Sequence, residues 1–147
     1  MQTVKFIRLN EKAVTPSYGS AAAAGADLYA CTDGETVTFN PGETKLIHTG
    51  IAMQIPDGLV GLIYARSGIA TKRGLAPANK VGVIDSDYRG EIMVSLHNHS
   101  NAVQEIADGE RVAQLVIAPF VTAVFEETET LDETDRGAGG FGSTGTK

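Results

Sequence analysis

The feature that most constrains this chain is the period of its apolar residues, which is two rather than 3.6. Thr36-Val37-Thr38-Phe39 alternates, as does Glu91-Ile92-Met93-Val94-Ser95-Leu96. Period two puts every second side chain on the same face of a strand. Val4 to Leu9, Lys45 to Ile55, Leu59 to Tyr64, Val81 to Ile84, Arg111 to Ala118 and Val121 to Phe125 are short, β-branched and apolar-rich. Turn chemistry bounds them: Asp33-Gly34, Pro41-Gly42, Pro56-Asp57-Gly58, Arg89-Gly90, Asn98 to Asn101 and Asp108-Gly109. Many short strands punctuated in this way predict an all-β sandwich or barrel of jelly-roll type. Helix is expected only as a turn at Ser67 to Thr71. The run Ala21 to Ala24, closed off by Gly19 and Gly25, is too short to stand alone.

A chain of 147 residues buries one core. No apolar run reaches the roughly 20 residues of a membrane helix, and Met1 to Lys5 lack the apolar stretch of a signal peptide. A cytoplasmic protein without membrane contact is the expectation. A single cysteine, Cys31, excludes an intrachain disulfide framework and any zinc site of several thiolates. The net charge of -6 argues against a protein that grips nucleic acid through its phosphates. That charge is concentrated, however. Glu126, Glu127, Glu129, Asp132, Glu133 and Asp135 lie in one stretch without Lys or Arg, and elsewhere acids and bases balance. A local anion pocket is therefore compatible with the composition.

The chain divides into a β domain over 1–125, an acidic linker over 126–135 and a glycine-rich tail over 136–147 that is expected to be flexible. The tail carries one large ring, Phe141, which has no use in a flexible segment unless it lands on something.

Five segments have side chains that suit chemistry. Ala24 to Tyr29 is a turn running into a strand, with Asp27 as its acid. Ala65-Arg66-Ser67-Gly68 combines a guanidinium fork, a hydroxyl and a backbone freed by glycine, as a phosphate cradle needs; taken alone it reads as a capped loop with a surface Arg. In Asn79 to Gly90 the carboxylate of Asp85 ends an apolar strand, a position suited to a general base. The plainer reading there is a hairpin whose Asp85 or Asp87 bonds its own backbone. In Gly109 to Leu115, Arg111 and Gln114 have opposite parity and are expected on opposite faces of a regular strand. Arg136 to Gly145 offers an Arg, hydroxyls, open N–H groups and the Phe141 ring. It is not a Walker loop, because Thr146-Lys147 reverses the required order and no strand precedes it. His97 and His99 lack a third metal ligand. The zinc-deaminase pattern is absent, and so is a Gly-x-Ser-x-Gly elbow.

Taken together and in this order, the five segments resemble the homotrimeric dUTP nucleotidohydrolases (dUTPases). Ala24 to Leu28, Arg66-Ser67-Gly68, Gly82 to Gly90, Gly109 to Leu115 and Arg136 to Gly145 are similar to the family's five motifs, across residues 24–145. Ala65, where many members have Pro, and Ile69 for Leu are the departures. The resemblance implies a jelly-roll subunit, a homotrimer and sites at subunit boundaries, with dUTP as substrate and Mg²⁺ as cofactor. It implies that Asp85 activates a water that attacks the α-phosphorus, while Asp27 orients water around the Mg²⁺. Arg66, Ser67, Gly68 and Gln114 would meet phosphates, with Arg111 a helper of uncertain role. Asn79 and the main chain of Gly82, Val83 and Ile84 would read uracil from a narrow hairpin, with Tyr88 under the deoxyribose, and Met93 is a further substrate-binding candidate. Arg136, Phe141, Gly142, Ser143 and Thr144 would close over the nucleotide, the ring stacking on the base. Residues 137–147, fully extended, span roughly 36 Å, enough to reach a neighbour's pocket. Limiting uracil in DNA and supplying dUMP would be the cellular role. Two rivals remain at this point: a dCTP deaminase of the same fold, and a non-catalytic trimeric binding module.

Overall fold

The structure, a computed structural model, describes residues 2–140. Eleven strands and one helix lie among them, and all strand pairs are antiparallel. One sheet has the order β1-β5-β9-β7, from β1 (Lys5–Arg8), β5 (Thr44–Gln54), β9 (Glu91–Asn98) and β7 (Leu75–Pro77). The other has the order β2-β3-β11-β6-β8, from β2 (Ser17–Tyr18), β3 (Ala26–Tyr29), β11 (Arg111–Pro119), β6 (Leu59–Tyr64) and β8 (Gly82–Ile84). β4 (Val37–Phe39) and β10 (Gln104–Ile106) form a separate pair. The expected all-β, jelly-roll-like architecture is the observed one. No helix of the described residues is long and apolar enough to cross a membrane.

The alternation does what period two requires. In β9, Ile92, Val94, Leu96 and Asn98 are buried, while Glu91, Met93, Ser95 and His97 lie on the other face, half-buried. The buried row meets Ile47, Ile51 and Met53 of β5 and, from the second sheet, Leu28, Ile63, Val112 and Leu115. Phe39 and Ile106 of the small ladder, both fully buried, complete the core. Each such aliphatic side chain contributes about 1.5–3 kcal/mol on leaving water. Asn98 occupies an apolar parity position and is wholly buried, yet it is satisfied. Its amide donates to the carbonyls of Phe39 (3.1 Å) and Ala102 (2.8 Å), and its oxygen accepts from Ser100 N–H (2.9 Å) and Oγ (2.7 Å). Leaving any of those partners unpaired in the core would cost about 1–3 kcal/mol.

The helix α1 (Ser67–Arg73) falls where a helical turn was expected. It opens at Arg66, is anchored by buried Ile69 and is stopped by left-handed Gly74 (φ 68°). Val121 to Phe125 departs from expectation. It is not a strand, and Val121, Val124 and Phe125 are 92–96% exposed. An apolar, β-branched run makes a strand only where an edge is available to pair with; the last bond from this end of the chain toward the sheet is Phe120 N–H to the Gly58 carbonyl, 3.2 Å, just before β6. The acidic segment 126–135 is exposed and carries neither helix nor strand.

Candidate functional site

Two groups of candidate site residues form, one around Asp27 of the five-stranded sheet and one where β8 of that sheet meets β9 of the other. The first surrounds Asp27. Its side chain is 12% exposed, and its two oxygens take Arg66 Nε (2.7 Å) and Arg111 Nη1 (3.2 Å). Arg66 is held through Nε and its two Nη groups make no hydrogen bond among the described residues, which leaves them as donors suited to phosphate oxygens. Ser67 and Gly68 follow, both exposed, at the start of α1. A Cβ on Gly68 would meet nothing within 4 Å, so nothing inside this chain requires glycine there. Gln114 is a brace: its amide donates to the Ala65 carbonyl (2.8 Å) and its oxygen lies against Gly25, where a Cβ would stand 2.6 Å away. Its second amide N–H remains for a ligand.

Arg111 and Gln114 do not lie on opposite faces, contrary to the parity expectation. A bulge between Arg111 and Ala113 shifts the register, so Gln114 stands opposite Asp27 while Arg111 reaches the same carboxylate. An inserted residue reverses parity beyond it. Val112 and Ala113 are consequently both buried although adjacent.

The second group lines a cavity of about 280 Å³ formed by Leu46, Asn79, Val83, Ile84, Asp85, Tyr88, Glu91, Met93 and Ser95. Its floor is the outward row of β9. Its wall is β8, an edge strand whose far side has no ladder partner among the described residues. Gly82 lets the Asn79 side chain approach, since a Cβ would lie 3.2 Å from its Nδ2. Just before β8, Lys80 takes a left-handed φ of 65°, a conformation that costs of order 1 kcal/mol in a residue other than glycine. Asp85 is exposed, and neither its carboxylate nor that of Asp87 accepts a hydrogen bond among the described residues. The turn is closed by main chain instead, Tyr88 N–H to the Asp85 carbonyl at 3.2 Å. The self-bonded Asx turn is thus absent. Tyr88 lies over Gly90, where a Cβ would be 2.6 Å from its Cζ, and donates its hydroxyl to the Glu91 carbonyl at 3.0 Å.

The narrow hairpin is also absent. Pro77 pairs with Leu96 and Ala78 N–H reaches the Ser95 carbonyl (2.7 Å), but beyond them the arms splay. β8 crosses to pair with β6 in the other sheet, and residues 85–90 cross back. The splay is what opens the cavity. Sequence reasoning missed Leu46, Glu91 and Ser95 there; the outward parity of Glu91, Met93 and Ser95 was the available signal, and for Leu46, across the sheet, there was none.

The two groups stand apart. Extended one residue beyond its last pair, Gly61 with Ile84, the β6–β8 register would set Asp85 level with Val60; Arg66 follows the opposite end of β6, roughly 20 Å from that point at about 3.3 Å per residue. Arg136 is exposed and donates to the Gly139 carbonyl at 2.8 Å, outside both groups. Phe141, Gly142, Ser143 and Thr144 lie outside the described residues.

The family model described as dUTPase matches residues 11–145. The chain belongs to the dUTPase family. It is 50% identical over 143 residues to the deoxyuridine 5'-triphosphate nucleotidohydrolase of Syntrophotalea carbinolica, covering 97% of each chain. To that of Nautilia profundicola it is 52% identical, covering 97% of this chain and 98% of the relative. Among solved structures, the Staphylococcus bacteriophage 80alpha dUTPase with dUPNHPP superposes with a TM-score of 0.88 at 30% identity, 99% of each chain covered. A mutant dUTPase from phage phi11 of S. aureus, described as revealing the coordination of a structural Mg(II) ion, gives 0.80 at 28% identity, over 90% of this chain and all of the other.

Other dUTPase-unrelated chemistry finds little support in the geometry. Burial pushes the Cys31 thiol up, with Asp108 and Asp33 adding to it, which disfavours a thiolate nucleophile. His97 and His99 meet edge to face at 4.4 Å, with His97 Nδ1 on Thr44 Oγ1 (2.8 Å); local desolvation, with the nearby Lys80 ammonium, holds His99 below its usual value. Among the described residues no three His, Cys, Asp or Glu side chains converge as a metal site. Asp27, a single carboxylate flanked by two guanidiniums, is not a protein cage for Mg²⁺. It suits an ion carried mainly by substrate phosphates and water, the usual manner for Mg²⁺ at nucleotide sites.

Proposed function

We propose that this chain hydrolyses dUTP to dUMP and pyrophosphate, at sites assembled from more than one copy. The observation that carries the reading is the division of the site. A base-and-sugar cavity with an unengaged carboxylate lies where β8 meets β9, and a preorganised guanidinium follows the far end of β6. A general base must reach its water within about 3 Å of the reacting phosphorus, so roughly 20 Å of separation makes one chain insufficient. Asp85 of one copy would meet Arg66 of its neighbour across a subunit boundary. A closed ring of copies, a trimer by family resemblance, satisfies every such boundary.

The chemistry needs positioning and charge neutralisation more than covalent help. The water oxygen bonds to the α-phosphorus in line, the bond to the bridging oxygen of the departing pyrophosphate breaks, and the proton passes to Asp85. Arg66, Ser67, Gly68 and the spare amide N–H of Gln114 bind phosphate oxygens. Asp27 keeps Arg66 aligned, and its remaining lone pairs can take a hydrogen bond from water around a substrate-borne Mg²⁺. That ion, when bound, offsets triphosphate charge. The free edge of β8, with Asn79, pairs with uracil's acceptor–donor–acceptor edge, which cytosine reverses at N3 and the 4-position. Tyr88 occupies the space a 2′-hydroxyl would need. Arg136 and the glycine-rich segment, with Phe141 on the base, close over the nucleotide. A free nucleotide as substrate and a lone buried thiol both suit the cytoplasm.

Pyrophosphate release measured across dUTP, dCTP, dTTP and UTP tests this directly. Preference for dUTP of at least about 10²-fold is expected, since a site built on buried hydrogen bonds rejects mismatched partners strongly. Comparable rates on all four would end the reading. Ammonia from dCTP would revive the deaminase, which the family match does not favour.

A further inference from the structure

The 85–90 crossing must be held in place where it lands on the other sheet, and the residue at the landing is Glu91. One carboxylate oxygen accepts the Gly50 N–H (2.8 Å) and the other meets His48 Nδ1 (2.8 Å). Its carbonyl takes the Tyr88 hydroxyl (3.0 Å). Gly50 belongs to a bulge in β5, where the pairing with β9 jumps between His48 and Ala52. Its φ is 67°, and a Cβ would lie 2.8 Å from Ala13 Cβ. The bulge is tied to β9 at two points, by the Thr49 hydroxyl on the Ile92 carbonyl (2.5 Å) and by the Glu91 carboxylate. The Glu91 side chain is 20% exposed and separates two cavities, the one containing Asp85 and Tyr88 and a neighbouring one containing His48, Gly50 and Cys31.

We propose that Glu91 is a positioning residue: through its grip on the β5 bulge it fixes the peptide that receives the Tyr88 hydroxyl, and so sets the sugar selectivity of the nucleotide cavity. This rests on the functional reading above. The carboxylate does not touch the reacting atoms. It determines where the Glu91 carbonyl sits, and that carbonyl, with side-chain-free Gly90 beneath the ring, determines where Tyr88 sits.

The test uses the full chain, with E91A, E91Q, Y88F and E91A/Y88F compared on dUTP and UTP. E91A is expected to lower the dUTP-over-UTP preference by about tenfold, in keeping with the sensitivity of bound geometry to small displacements. E91Q is expected to restore most of it, because its amide oxygen still accepts from Gly50 and its NH₂ can donate to a neutral His48. The double variant should be no less selective than the worse single one, since both changes act through one contact. Crystals of E91A should show Tyr88 displaced from Gly90. Should E91A not fold, Glu91→Asp, too short to span both partners, is expected to lose preference in the same direction. A folded E91A with wild-type preference and an unmoved Tyr88 would overturn the proposal. If the unaltered protein failed to turn over dUTP, the functional reading would fall, and the Tyr88 position in E91A would alone decide whether Glu91 holds that ring.

Discussion

Asp85→Asn is expected to reduce pyrophosphate release from dUTP by about 10²–10⁴-fold, the usual worth of a positioned general base. The substitution preserves shape and removes only the ability to accept a proton. In this structure Asp85 is exposed and its carboxylate makes no hydrogen bond among the described residues, so the fold loses nothing with it. Surface changes away from structural contacts cost within about 0.5 kcal/mol. Binding of a non-hydrolysable dUTP analogue, followed by calorimetry, should therefore survive within about threefold, because the Asn79 and β8 contacts are untouched. Loss of binding along with turnover would mean that Asp85 holds the nucleotide rather than activating water.

Arg66→Ala is expected to act in the opposite manner, through binding and orientation. The guanidinium is fixed by Asp27 at 2.7 Å through Nε, and its Nη groups make no hydrogen bond among the described residues. Removing a preorganised donor to phosphate oxygens should lower kcat/KM by about 10²–10³-fold. It also leaves Asp27, with its 12% exposed side chain, supported by the more exposed Arg111 alone. Some loss of thermal stability is expected beside the kinetic loss. Arg66→Lys should rescue little, since an ammonium cannot bond the carboxylate and present a planar fork at once. Kinetics on dUTP combined with thermal melts check both halves. An unchanged kcat/KM in a folded variant would remove Arg66 from the site.

Much of the fold was legible because strands whose partners lie in the same chain follow their alternation. Leu59 to Tyr64 became β6 without adjustment, and the buried parity of Ile92, Val94 and Leu96 holds through β9. β2, β7 and β10 were missed because they carry neither the β-branched alternation that marked β4 nor the apolar run that marked β8; the strands beside them define them. Val121 to Phe125 is apolar-rich but pairs with no edge among the described residues. The bulges at Arg111–Ala113 and His48–Ala52 were invisible for a related reason: a bulge is a relation between two strands. Among the candidate site residues, Asp27, Arg66, Asp85 and Tyr88 were legible because they sit in the ordered segments that carry the family resemblance. Leu46 and Glu91 were not, since their role comes from which strand lies beside which. Nor did the sequence reveal that Asp85 follows β8 and Arg66 follows the far end of β6, the separation on which the proposal of a second copy rests.

That claim is tested most directly by mixing two inactive variants. Asp85→Asn and Arg66→Ala subunits, co-expressed or unfolded and refolded together in equal amounts, should regain activity. In a ring of copies with sites at each boundary, about a quarter of the sites then combine an intact Asp85 with an intact Arg66 from its neighbour. Recovery of roughly that share of wild-type dUTP turnover is the expected result. A mixture as inactive as either variant alone, with mixed oligomers demonstrably formed, would place both residues in one chain's site and contradict the account.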